Sequence, residues 1–174
     1  GAPVMSSADV VVRPLHEGDL DAVLAIQAQG YDAATQEAAA TFSAKLRVAA
    51  QSCFIACLDG HAMGYLIALP ADANLPPPLH STEASSLATA DALYLHDLAV
   101  APQARATGVT QRLLAAYWRC LHEGGFRFAC LTAVNGSRPF WERHGFRVVA
   151  ADAALRARLA GYGDGATFMR QAIG

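Results

Sequence analysis

The sequence predicts an α/β chain of the α+β kind, with a mixed, mostly antiparallel central sheet flanked by helices. Three observations carry that expectation. Apolar and β-branched runs alternate with stretches of helical periodicity, in the order β α α β β β α β α β β. Two neighbouring runs are joined by Asp59-Gly60, a pair suited to a type I′ turn because both positions want φ > 0. The run 93–100 leads through small residues straight into an amphipathic helix. Strand–helix alternation beside a hairpin is the pattern of a mixed sheet covered by helices.

Each element has its own signal. Residues 10–13 are a β-branched run closed by Pro14. Asp19 is placed to cap a helix that carries Leu20, Val23, Leu24 and Gln27/Ala28 along one face. Thr35 with Gln36-Glu37 opens a second helix, in which Phe42 and Leu46 lie four apart and share a face. Residues 53–58 and 61–69 form the hairpin. Residues 70–90 read as a polar, Pro-rich loop, of a length that in a compact domain is usually functional or mobile.

After the strand 93–100, the next helix sets Val109, Leu113, Ala116, Tyr117, Cys120 and Leu121 on one face and stops at Glu123-Gly124-Gly125. Residues 126–134 are a strand, and Asn135-Gly136-Ser137 a turn. A short helix, tolerant of Pro139 in its first turn, ends at Gly145. A strand starts at 146–149, residues 152–160 add a helical turn or two with Leu155 and Leu159 paired, and 166–173 is the last strand. With no repeat and no linker, 5–174 reads as a single domain, and Gly1 to Val4, ahead of Met5, as an expression remnant.

Composition narrows the function. With 174 residues, 53% apolar and 16% charged, the chain can bury a core and is not of disordered type. No apolar run approaches the ~18 residues of a membrane span, and the N-terminus lacks the basic start and apolar core of a signal peptide. A net charge of −2 argues against a nucleic-acid surface. Of the 13 basic residues only Lys45 is lysine, so arginine supplies nearly every fixed cation. Cys53, Cys57, Cys120 and Cys130 form no CxxC pair and sit in apolar segments, which reads as buried thiols in a reduced, cytoplasmic setting. His16, His61, His122 and His144 do not cluster by spacing, so no metal site is read.

The connection from the strand to the helix has a physical use. A small-residue loop at a helix N-terminus points N–H groups and partial positive charge outward, which suits a phosphate. Its residues, Arg105-Ala106-Thr107-Gly108-Val109-Thr110, resemble the Gln/Arg-x-x-Gly-x-Gly/Ala pattern of the GNAT superfamily of N-acetyltransferases, with Thr110 out of pattern. Downstream, Asn135 followed by Phe140-Trp141-Glu-Arg-His-Gly145-Phe146 resembles that family's Asn…Phe-Tyr-x-x-x-Gly-Phe, with Trp141 in place of Tyr.

The resemblance implies the acetyl-CoA N-acyltransferase fold and an acetyl-CoA site. Leu98, Ala99 and Val100 would lie along the pantetheine arm, and the amides of Arg105, Ala106, Thr107, Gly108, Val109 and Thr110 around the pyrophosphate. Asn135 would contact the pantetheine, with Ser137, Phe140 and Trp141 beside it. It also implies a small-molecule or peptide amine as acceptor and leaves a homodimer open, while the net charge and the lack of a long apolar run argue against a nucleic acid or membrane partner. A non-catalytic acyl-CoA-binding module is the alternative, motivated by Thr110 and Trp141.

Acetyl transfer to an amine of pKa ~10 needs a base, a donor to the oxyanion and help for the leaving thiolate. By period two, Tyr94, His96, Leu98 and Val100 share one face of the strand, and Leu95, Asp97 and Ala99 the other. His96 is then one pleat from the cofactor arm and suits proton removal. The string 95–100 also resembles the serotonin N-acetyltransferases, which have a catalytic histidine at the position matching His96. Asp97 is the reserve base if a bulge turns it. The Leu98 amide is the oxyanion donor, and Tyr94 or Tyr162 could act as acid where Trp141 cannot. His80 and Glu83 fall in the long loop that would flank the acceptor, and Asp72, Glu83 and Asp91 would weakly favour a cationic amine.

Overall fold

The computed structural model describes residues 9–33, 36–78 and 90–174. Among them the strands are β1 (Val10–Pro14), β2 (Cys53–Leu58), β3 (His61–Ala71), β4 (Ala92–Val100), β5 (Phe128–Ala133), β6 (Arg147–Val148) and β7 (Thr167–Ala172). The helices are α1 (Leu20–Gly30), α2 (Ala39–Ala49), α3 (Val109–Glu123), α4 (Arg138–Arg143) and α5 (Ala153–Ala160). Backbone hydrogen bonding orders the strands β1-β2-β3-β4-β5-β7-β6. β1 and β2, β2 and β3, β5 and β7, and β6 and β7 pair antiparallel, and β4 and β5 parallel. This is the mixed, mostly antiparallel sheet that the sequence predicts.

The chain forms two compact units, one of Gly1–Ile67 and Asp97–Cys120, the other of Ala68–His96 and Leu121–Gly174. In the first, the β2–β3 hairpin turns at Asp59 (φ 51°) and Gly60 (φ 79°), the left-handed pair that a type I′ turn requires. The α3 stripe buries Val109, Leu113, Ala116 and Tyr117. Gly64 shows how closely β3 approaches this helix. A Cβ there would stand 2.9 Å from a Val109 methyl and 3.1 Å from the Ala99 carbonyl oxygen, so only glycine fits without displacement. Phe42 of α2 meets Tyr65 of β3 edge-on, with ring centroids 5.9 Å apart.

Two helix starts differ from expectation. The Asp19 side chain does not cap α1. A 3-10 turn, Glu17–Asp19, comes first, and the Asp19 carboxylate accepts from the His16 backbone N–H and from both Nη atoms of Arg13. The Arg13 guanidinium holds this carboxyl at about 2, below its ordinary 3.8. The helix α2 opens at Ala39, whose preceding residue Ala38 is extended and offers no side-chain cap. Glu37 is instead buried, and Thr35 lies outside the described residues.

The second unit packs Tyr94, Cys130, Leu155 and Phe168 with Ala71, Ala73 and Ala92 into one cluster. Asp152 caps α5, its Oδ1 accepting from the Leu155 N–H at 2.8 Å. The strand β3 runs two residues further than expected, through Pro70 to Ala71. Its ladder with β2 ends at Cys53↔Ile67, so the missing N–H of Pro70 costs no bond on that side. The long loop therefore begins later, and residues 79–89, with His80 and Glu83, lie outside the described residues. Asp72 and Asp91 bind backbone: Asp72 Oδ1 accepts from the Asn74 N–H, and Asp91 Oδ1 from the Ala73 N–H.

Candidate functional site

The alternation of β4 is regular at the residues that matter. Leu95, Asp97 and Ala99 are buried, whereas His96, Leu98 and Val100 are half-buried. His96, Leu98 and Val100 therefore share the more open side, and Asp97 points the other way. The parallel ladder with β5 covers Ala92 to Leu95 and ends at Leu95↔Leu131. Beyond it β4 continues, and Leu98 and Val100 lie past the last rung.

In the first unit, the chain leaves β4 through a 3-10 turn, Pro102–Ala104, and a loop with Ala106 at φ 64° and Gly108 at φ 91°. Two of the six loop amides are engaged locally, Arg105 N–H to the Pro102 carbonyl and Thr107 N–H to the Ala104 carbonyl. The Thr107 hydroxyl also donates to the Ala104 carbonyl. The Arg112 N–H bonds to the Gly108 carbonyl at 3.0 Å, so the amides of Val109 and Thr110 stand in the helix's first turn, ahead of that bond. Arg105 is exposed.

Beneath β4 lies a polar network whose tyrosines and whose Glu37–Lys45 pair the sequence reading did not find. Tyr31, at the end of α1, donates its hydroxyl to Asp97 Oδ1, and Tyr65 donates to Asp97 Oδ2, both at 2.8 Å. Burial, with Asp97 next, pushes both phenols far above their ordinary 10. Lys45 and Glu37 form a buried ion pair, with side chains 4% and 3% exposed. The Gln27 side chain donates to the Glu37 carbonyl and accepts from the Glu37 N–H. One signal was available: Lys45 is the lone lysine, and Gln27 is a polar residue on an otherwise apolar helix face.

In the second unit, Tyr94 is buried and lies within hydrogen-bonding distance of the Thr132 hydroxyl, 2.8 Å, and the Tyr162 hydroxyl, 3.2 Å. Tyr162 in turn donates to the Pro77 carbonyl. Burial drives the Tyr94 phenol well above 10. The His96 ring lies 6.1 Å from that of Tyr94. Asn135 is exposed, with φ 53° before Gly136 at 74°, the tight turn that ends β5. The Ser137 hydroxyl donates back to the Val134 carbonyl at 2.7 Å. Trp141 is buried edge-on against Phe140 and Phe146, and His144 packs on Phe140 with ring centroids 4.4 Å apart. Arg138 pairs with Glu142 on the surface, and Arg147 donates to the Phe146 carbonyl.

Comparison with known sequences and structures gives the class of the chain. The sequence profile of the Acetyltransferase (GNAT) family matches residues 20–146. No curated protein sequence matches the chain. Among solved structures, the loading GNATL domain of CurA from Lyngbya majuscula is similar over 92% of this chain and 96% of its own, with a TM-score of 0.72 and 13% identity. The GphF GNAT-like decarboxylase, in complex with isobutyryl-CoA, is similar over 93% and 98%, at 0.71 and 18%. The ribosomal-protein-S18-alanine N-acetyltransferase from Escherichia coli is similar over 95% and 94%, at 0.65 and 17%. The chain belongs to the acetyltransferase (GNAT) family and is an enzyme of the acyltransferase class.

The fold is consistent with acyl transfer from a coenzyme A thioester, and the loop chemistry fits that cofactor class. The amides of Val109 and Thr110 and the helix dipole offer an anion site. Gly108 in the left-handed region lets the backbone approach a phosphate without a Cβ in the way, and the Arg105 guanidinium can add a charge-assisted contact.

Proposed function

We propose that this chain transfers an acetyl group from acetyl-CoA to a primary amine of a small molecule or peptide, by direct attack in a ternary complex. One observation supports the reading: β4 outruns its ladder with β5 at Leu95 and feeds directly into the Gly108 loop, and in this reading the backbone groups of Leu98 and Val100 pair with the extended cofactor arm. When bound, acetyl-CoA supplies the activated acyl group. The loop amides and Arg105 hold its diphosphate, with Ala99, Val100, Asn135, Ser137, Phe140 and Trp141 as further cofactor-binding residues. The half-buried His96 takes the proton of the amine, directly or through water. The Leu98 N–H donates to the developing oxyanion. Tyr94 keeps its proton within a hydrogen-bonded chain, so the thiolate leaves with help from water.

Calorimetric titration with acetyl-CoA, followed by a CoA-release assay across a panel of amines, tests this. Absence of binding would sink the reading. Binding with no release would favour a second one, a non-catalytic acyl-CoA-binding module. The packing of Trp141 where the family usually has a tyrosine supports that alternative, since an indole N–H cannot deliver a proton. His96→Ala should lower the rate by on the order of a hundredfold and remove a pH-rate limb near neutrality; an unchanged profile would rule His96 out as base.

A further inference from the structure

The Asp97 carboxylate is bonded at both oxygens by hydroxyls from two different elements, Tyr31 at the end of α1 and Tyr65 inside β3. The Tyr31 hydroxyl also stands 3.5 Å from the Leu98 carbonyl oxygen. Tyr31 is itself fixed, because Gln36 Nε2 donates to its carbonyl at 2.9 Å. Tyr65 is fully buried and braced by the Phe42 ring. A carboxylate clamped on both oxygens cannot swing, and the peptide bond that follows it is planar. The N–H of that peptide is the one Leu98 carries.

We infer that Asp97, Tyr31 and Tyr65 are positioning residues that fix the orientation of the Leu98 N–H. This rests on the reading above, in which that N–H meets the developing oxyanion. A donor aimed before the reaction needs no reorganisation during it, and small misplacements of such groups cost large factors in rate. The clamp also separates two roles for Asp97. A base must exchange its proton with substrate or water, whereas this carboxylate faces the buried side of β4 and accepts from two phenols whose protons are held far above neutrality. It acts through Leu98.

Tyr31→Phe and Tyr65→Phe test the inference, with folding checked by near-ultraviolet circular dichroism. Each should lower kcat about tenfold while leaving the acetyl-CoA Kd within about twofold and the pH-rate limb in place. In the protein alone, followed by NMR, the Leu98 amide should exchange with solvent faster in both variants than in the parent. Unchanged kcat and unchanged Leu98 exchange in folded variants would overturn the inference. So would loss of the pH-rate limb in Asp97→Asn, which would make Asp97 the base. If Tyr65→Phe does not fold, Tyr31→Phe, at a half-buried site, decides. A parent protein that neither binds acetyl-CoA nor releases CoA defeats the proposed function, whereas the amide-exchange result judges the clamp separately.

Discussion

Two tyrosine networks reach β4, and they are made of opposite materials. At Asp97 the network is ionic: a carboxylate held by Tyr31 and Tyr65, with the Glu37 carboxylate, itself paired with Lys45, adding to the upward push on the Tyr65 phenol. At Tyr94 it is neutral: the hydroxyls of Tyr94, Thr132 and Tyr162 and the Pro77 carbonyl. A hydroxyl both donates and accepts, so a neutral chain can re-pair around a lost member. A buried charge has no such freedom, and removing its partner leaves the whole desolvation cost. The ionic network therefore fixes geometry, whereas the neutral one fills polar space within a core.

That contrast can be broken most forcefully at Lys45. Lys45→Met removes the cation that faces the buried Glu37 carboxylate and should cost about 3–5 kcal/mol in urea unfolding. The double variant Lys45→Met with Glu37→Gln should recover most of that loss. If the single variant is neutral, the ion pair is not the keystone of the network.

A smaller effect comes from comparing hydroxyl deletions. Tyr65→Phe removes a hydroxyl donor from the buried Asp97 carboxylate and should cost about 2–3 kcal/mol, whereas Tyr94→Phe, within a neutral chain, should cost about 1 kcal/mol. Equal losses in thermal unfolding would erase the distinction between the networks.

The smallest effect belongs to an ion pair nearer solvent. The Asp19 carboxyl sits at about 2 instead of 3.8, so the stability it confers is complete above about pH 4 and is lost as pH falls through 2. With the Arg13 side chain 41% exposed, solvent screening limits that contribution to about 1 kcal/mol or less. Unfolding of the parent and of Asp19→Asn, measured from pH 5 to pH 2, should converge at the acid end.

What the sequence made legible follows the range of the interactions. The Asp59-Gly60 turn, the α3 stripe and the alternation of β4 are set by neighbours within a turn or two, and the structure has all three. Local reasoning misassigned Asp19, because capping propensity could not foresee that Arg13 would take its carboxylate. It stopped β3 before Pro70, because only the strand pairing shows that no rung with β2 is lost there. The gap at Gly64 depends on a helix more than forty residues later in the chain. In the candidate site, His96, Leu98 and the Gly108 loop were readable from one contiguous stretch. Tyr31, Tyr65, Glu37 and Lys45 come together only through the fold.

Lys45 has one more consequence. It is the sole lysine among 13 basic residues, and its ammonium is buried against Glu37. Every other fixed cation is a guanidinium, which stays protonated and is a poor nucleophile toward thioesters. An enzyme that handles activated acyl groups thus presents no lysine amine to capture them. In practical terms, acylating reagents aimed at lysine should find no lysine amine on the folded chain and mark Lys45 only once the fold opens, so labelling at that one position would serve as a chemical gauge of unfolding.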